Sequence, residues 1–217
     1  MGGRGSSSGF SDRNSGRWSS GPGDLITTLK AALGAKGKPK SVADAVTGAN
    51  PNHSYDYNEF SKNCQRCVVA YELRRRGYDV EALPTYEGDT LPRIAYQNNN
   101  KGTYEAYWRG AFRHAKTLNV GGATSDAVIQ NITDKMHYFG NGSRAVVQIF
   151  YSGGGGHVFN VENQGGRMVW VEAQTGKLKD IKSTMSLVKT SKVNMVRVDN
   201  LAISDRAKNF VKNKKRT

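Results

Sequence analysis

The chain has 217 residues, enough for one well-formed core with tails. Hydrophobic residues make up only 37%, and no stretch approaches the roughly 20 apolar residues of a membrane helix, which excludes a helical membrane protein. The net charge of +14 favours polyanionic partners, nucleic acid or acidic protein surfaces, unless it is simply spread over solvated surface and tails.

Residues 1–23 hold seven Gly and seven Ser, a linker composition with too little apolar area to fold. No apolar run follows the first positive charges. No signal peptide is therefore expected; the expected setting is the cytoplasm, where thiols stay reduced, or association with a phage or virion. The spacing predicts a short helix over Leu25–Leu33, capped by Asp24 and stopped by Gly34. Lys36–Lys40 and Asn50–His53 read as loops. Residues 1–52 are thus expected as a flexible segment with one short helix, 53–205 as the compact domain and 206–217 as a basic tail. Six of the last twelve residues are Lys or Arg, which suits a solvated helix end or a nonspecific grip on nucleic acid.

Within the domain, Cys64–Arg76 has helical spacing and Gly77 is a natural stop. Arg74–Arg76 suit the negative end of that helix dipole. Tyr78–Leu83 alternates like a strand and ends at Pro84. Tyr104–Leu118 reads as a helix broken at Gly110, its Tyr104, Tyr107, Trp108 and Phe112 forming a packed stripe. Ser125–Met136 reads as an amphipathic helix capped by Ser125. The period then changes. Ser143–Tyr151, Gly156–Glu162, Arg167–Ala173 and Lys192–Val198 read as strands, the middle two joined by an Asn163–Gly166 hairpin. Helices followed by consecutive antiparallel strands make an α+β fold. Asp79 and Asp180 read as surface carboxylates.

The only cysteines, Cys64 and Cys67, form a CxxC pair. A zinc site needs about four ligands, and CxxC supplies two. His53, His114, His137 and His157 form no HxxxH pair, and the His-x-Glu and Pro-Cys elements of a zinc deaminase are absent. A thioredoxin-type redox pair would follow a strand, whereas residues 54–63 are polar. The remaining chemistry is nucleophilic. Cys64 falls in the first turn of the predicted helix, where unpaired N–H groups and the dipole favour a thiolate. Cys67 lies one turn deeper, where packing is the usual role of a free cysteine; it is the alternative nucleophile.

A nucleophile needs a base. His157 follows Gly153–Gly156, which leave room for close approach of a substrate or a helix end. A lone histidine at a strand start is usually a surface or satisfied core group. What singles out His157 is an acceptor on the neighbouring strand: Glu172, or Gln174 two residues on and so on the same face, either able to fix the imidazole tautomer. Oxyanion donors would be the Cys64 N–H, with the side chains of Asn63 or Gln65. No metal or organic cofactor is called for.

Three segments, Asn63–Gly77, Gly155–Val161 and Val171–Gly176, together resemble the papain-fold toxin family of glutamine deamidases, found in polymorphic toxins and in phage or prophage proteins. The resemblance covers roughly residues 60–200. It implies a papain-like fold, with the nucleophile-bearing helix packed on an antiparallel sheet that carries the histidine and the acid. It also implies Cys64 as nucleophile, His157 as base and Glu172 as orienter, a protein substrate and an immunity partner. The family's usual third residue is Asp; Glu172 is one methylene longer, and Gln174 is the substitute. The implied reaction is acyl transfer from a glutamine side chain. A cysteine protease would use the same groups on a peptide bond. The rival readings are a basic nucleic-acid-binding or phage structural protein with a buried cysteine, and a relative that kept the fold without activity.

Overall fold

The computed structural model describes residues 28–56, 59–86 and 107–214. The Gly/Ser-rich start, Asp24, the first residues of the Leu25–Leu33 helix, Tyr104 and the last three residues of the basic tail lie outside the described residues.

Three helices come first: α1 (Leu29–Leu33), α2 (Val42–Ala49) and α3 (Cys64–Arg75). A short strand β1 (Val80–Ala82) follows, then β2 (Leu118–Asn119) and helix α4 (Ser125–Phe139). The second half holds β3 (Arg144–Phe150), β4 (Gly156–Gln164), β5 (Arg167–Glu172), β6 (Lys177–Leu178), helix α5 (Ile181–Met185), β7 (Asn194–Arg197) and β8 (Val211–Asn213). A six-stranded antiparallel sheet has the order β2-β7-β3-β4-β5-β6, and β1 pairs with β8 in a separate two-stranded sheet. The architecture is α+β, as the change of period predicts. The β4–β5 hairpin turns through Gly165 and Gly166 at φ 62° and 90°, the conformation a tight two-residue hairpin requires.

Several boundaries differ from expectation. Thr28, not Asp24, caps α1, and Thr124, not Ser125, caps α4; the Ser125 hydroxyl instead donates to Met185 O at 2.9 Å. The helix predicted over Tyr104–Leu118 is only a 3₁₀ turn, Trp108–Ala111, after which Phe112 bridges Ile203 in extended conformation. Its aromatics pack as expected: Tyr107, Trp108 and Phe112 are buried, so none is a base-stacking platform. Helix α2 was not foreseen. Ser41 caps it, accepting from the Asp44 N–H at 3.0 Å and donating to the Asp44 carboxylate at 2.6 Å. Both α1 and α2 join the core through Leu33, Ala45, Val46 and Ala49. At the other end β8 adds Val211, and Lys212 pairs with Glu81 at 2.9 Å. The packed body therefore extends past the expected limits of 53 and 205, because short segments with few apolar residues still bury them against α3 and β1.

Helix α3 lies on one face of the large sheet, while α4 and α5 pack on the other through Val128, Ile132, Met136 and Met185. Ten of its twelve residues are buried, polar ones included, so each buried charge must be met. Glu72 accepts from Arg76 at 2.7 Å and from Arg144 at 2.7 and 3.0 Å. Glu162 on β4 accepts from the Tyr71 hydroxyl at 2.7 Å and from Arg75 at 2.6 and 3.1 Å. Arg74 donates to Asp79 and to the Val80 carbonyl, each at 3.0 Å. The dipole is thus a minor reason for Arg74–Arg76, and Asp79 is an ion-pair partner rather than a bare surface acid. Gly77 ends the helix at φ 101°, where a Cβ would stand 2.2 Å from Gly37 O.

The helix runs alongside β4 in the same direction. Asn160 donates to Val68 O at 3.3 Å, and Glu162 meets Tyr71 and Arg75. At about 1.5 Å per helical residue and 3.3 Å per strand residue, going back from Val68 to Cys64 corresponds to going back from Asn160 toward the start of β4. The nucleophile candidate and His157 meet by register.

Removing the Glu162 carboxylate leaves Tyr71 and Arg75 without their buried acceptor. Glu162→Ala is expected to lower the unfolding free energy by about 3 kcal/mol, read by urea denaturation; an unchanged midpoint would contradict this role.

Candidate active site

Cys64 opens α3 and is partly exposed, whereas Cys67 is completely buried. Burial first, then the charges of Cys64 and Glu172, push the Cys67 thiol well above its ordinary pKa. It donates to Asn63 Oδ1 at 3.0 Å. Cys67 is a packed thiol with no solvent access, which leaves Cys64 as the accessible sulfur of the two.

Asn63, the residue before Cys64 and a predicted oxyanion donor, turns its side-chain amide to partners inside the protein. Its side-chain nitrogen donates to Asn50 Oδ1 and to Leu83 O, each at 3.0 Å, so both amide protons are engaged. Its oxygen accepts from Asn50 Nδ2 at 3.2 Å as well as from Cys67. Gln65 is also buried, and its Oε1 accepts the Trp108 N–H at 3.3 Å. In the first turn of α3 the N–H groups of Arg66 and Cys67 already donate to Asn63 O, at 2.8 and 3.1 Å, so the expected oxyanion donor is the Cys64 N–H itself.

His157 stands at the second position of β4. Its Nε2 lies 2.7 Å from Glu172 Oε2, and the Cys64 side chain acts on the same ring, helping to raise its pKa. With Nε2 on the acid, Nδ1 is left for the sulfur. Strand alternation turns Val158 and Asn160 toward α3 and His157 toward the other face, where its ring stacks on Phe159 with centroids 6.4 Å apart. Gly156, on the α3 side, has no side chain to stand between Cys64 and the imidazole. The glycines before it serve the turn itself: Gly154 and Gly155 have φ of 100° and 81°, and a Cβ on Gly153, Gly154 or Gly155 would meet nothing within 4 Å. Among the described residues, no helix end comes within 4 Å of those Cβ positions.

Of the two predicted acceptors, Glu172 holds the ring. Asn160 pairs with Val171 across β4 and β5. Continuing that register one step puts Glu172 opposite Phe159 and diagonal to His157. Diagonal neighbours are about 7–8 Å apart, a span that suits the longer arm of Glu. Strand β5 ends at Glu172, so Gln174 does not share its face. The Gln174 amide donates to Ser61 O, and its carbonyl accepts from Asn50 Nδ2 at 2.8 Å.

Burial by itself would lower the His157 pKa. The Glu172 carboxylate and the hydrogen bonds to Cys64 and Glu172 outweigh it and hold the imidazole at about 9. Burial would likewise raise Glu172, but the charge and hydrogen bond of His157, then those of Lys179, bring it down to about 2. Three groups at the site carried no sequence signal. Lys179 donates to Glu172 Oε2. Tyr151 has its phenol pKa raised by burial and then by the charges of Glu172 and Cys64. Asn50 sits in what reads as a plain Asn-Pro loop. His53, His114 and His137 lie elsewhere; His137 Nε2, for instance, bonds Gly166 O at 2.9 Å. Among the described residues, no three His, Cys, Asp or Glu side chains group as metal ligands, and no helix is long and apolar enough to cross a membrane.

The pair also sets a pH window for stability. The imidazole pKa rises from 6.5 to about 9 on folding, so its contribution is complete below 6.5 and lost as pH rises through 9. The Glu172 pKa falls from 4.5 to about 2, so its contribution is complete above 4.5 and lost as pH falls through 2. The stability difference between wild type and His157→Gln, from urea denaturation, is expected to be largest between pH 4.5 and 6.5 and to shrink toward both extremes. A difference that grows from pH 6.5 to 9 would contradict the ion pair.

No curated protein and no solved structure matches the chain. A family model, papain fold toxin 1, glutamine deamidase, matches residues 62–177, more than half of the chain and a span that includes Cys64, His157 and Glu172. The helix set on an antiparallel sheet agrees with that fold, and the chain belongs to this family of papain-fold toxins.

Proposed function

We propose that the chain is a protein-glutamine deamidase in which Cys64 is the nucleophile, His157 the proton carrier and Glu172 the residue that orients the imidazole. One observation supports this above all: His157 Nε2 lies 2.7 Å from Glu172 Oε2, Cys64 helps to raise the pKa of the same ring, and all three residues lie in the matched segment. The groups stand in the order a Cys-His-acid triad needs.

His157 holds the proton, and the Cys64 sulfur attacks the carboxamide carbon of a glutamine side chain as a thiolate. The carbonyl oxygen takes up the negative charge beside the Cys64 N–H at the start of α3. The tetrahedral adduct collapses as the C–N bond breaks. His157 returns its proton to the nitrogen, and ammonia leaves a thioester on Cys64. A water molecule, giving its proton to His157, then adds to the thioester, and release of the sulfur leaves glutamate. Glu172 keeps the ring turned with Nδ1 toward the sulfur and balances the imidazolium charge. Each step needs only groups held at this site.

Expression of the full chain in bacteria, with mass spectrometry of the proteome for glutamine converted to glutamate, tests the reading. Wild type and Cys67→Ala should inhibit growth and produce the conversion. Cys64→Ala should do neither, and His157→Ala should lower the conversion by about 10²-fold to 10⁴-fold. A Cys64→Ala protein as toxic as wild type would overturn the nucleophile. New peptide ends without glutamine conversion would make the enzyme a protease.

A further inference from the structure

One charged side chain at the site has no part in the triad. Lys179 follows β6, yet its side chain is only 10% exposed. It donates to Glu172 Oε2, the same oxygen that lies 2.7 Å from His157 Nε2. Its ammonium sits 5.1 Å from the centre of the Phe159 ring, and that ring stacks under the imidazole. Lys179, Phe159 and His157 thus form one layer with Glu172 bridging its two cations. The backbone fixes this placement, since the Lys179 N–H donates to Trp170 O at 2.9 Å on the strand that ends in Glu172.

We propose that Lys179 is a positioning residue of the site: its ammonium pins the Glu172 carboxylate and, by sharing Oε2 with the imidazole, limits how firmly that carboxylate retains the protonated ring. The proposal rests on the reading of His157 as the proton carrier. A carrier must both take a proton from sulfur and give it to the departing nitrogen. A carboxylate serving the ring alone in a buried site would hold the imidazolium too well. A second cation on the same oxygen weakens that hold and repels the charged ring. It also restrains the extra methylene of Glu172, which would otherwise let the acid leave the imidazole. Among the described residues, Cys67 on α3 and Tyr151 just after β3 also feel the Glu172 charge, and Cys64 acts on the His157 ring. Asp180, next in sequence, is turned away to cap α5, accepting from the Ser183 N–H at 3.2 Å.

The test is the titration of His157 in the full chain, followed by NMR of ¹⁵N-labelled histidine, with the resonance identified by its loss in His157→Gln. Lys179→Met should move the midpoint upward by about one pH unit, while Lys179→Arg stays close to wild type. Lys179→Gln keeps a donor without the charge, gives the same upward shift, and serves if the Met variant fails to fold. A midpoint unchanged or lowered in the uncharged variants would overturn the proposal. The glutamine assay of Cys64→Ala, run alongside, separates the two claims. A shift seen in a chain without deamidase activity would support the hold of Lys179 on Glu172 while removing the reaction it serves.

Discussion

Two buried amides, those of Asn50 and Asn63, tie the start of α3 to the end of β5. They bond each other in both directions, at 3.0 and 3.2 Å. From this pair the contacts fan out to Leu83 O, Phe60 O, Gln174 O and the Cys67 thiol. Every donor and acceptor in such a buried knot is met inside the protein, so moving any one strand of it would strand the others. Gln174 lies two residues past Glu172, and Asn63 one residue before Cys64. The knot therefore sets the distance between the acid and the sulfur, although neither amide touches the imidazole.

The body of α3 is held by a different device. A helix with Glu72, Arg74 and Arg75 along its length is an awkward one to bury, and its apolar face alone would not fix how far it slides along the sheet. The buried acids do: Glu72 takes Arg144 of β3, and Glu162 of β4 takes Tyr71 and Arg75. Ion pairs of this kind are costly to desolvate and return their value as register. Here the register brings the helix tip to the first residues of β4, where His157 stands. The site then needs little more than a glycine at position 156 and a long acid on the diagonal.

How much of this was legible in the chain varied with the range of the interactions. Cys64 at a helix tip and His157 at a strand start were readable, because each depends on local signals: a stop at Gly77, a glycine run, a two-residue hairpin. Glu172 was readable as one of two acceptors, and the choice between them turned on where β5 ends, which alternation does not reveal. The Asn63 side chain reads as an oxyanion donor because it neighbours Cys64; its bonds to Asn50, thirteen residues away, have no local trace. Helix α2 escaped notice among loop-like residues because its stability comes from packing Ala45, Val46 and Ala49 against α3. The aromatic stretch around Trp108 was rightly taken as packing and wrongly as helix. Its side chains bury on α3 while Phe112 pairs with Ile203, a partner ninety-one residues downstream.

The central claim is that Cys64 owes its reactivity to His157. The most direct measurement is the rate at which iodoacetamide alkylates Cys64 at pH 6, compared in wild type and His157→Gln. At that pH the imidazole, held at about 9, carries its proton beside the sulfur. The variant is expected to react at least about tenfold more slowly, having lost the imidazolium that acts on the sulfur, with Cys67 unlabelled in both folded proteins. Equal rates would mean that the sulfur and the imidazole do not work together, and the triad would fall with them.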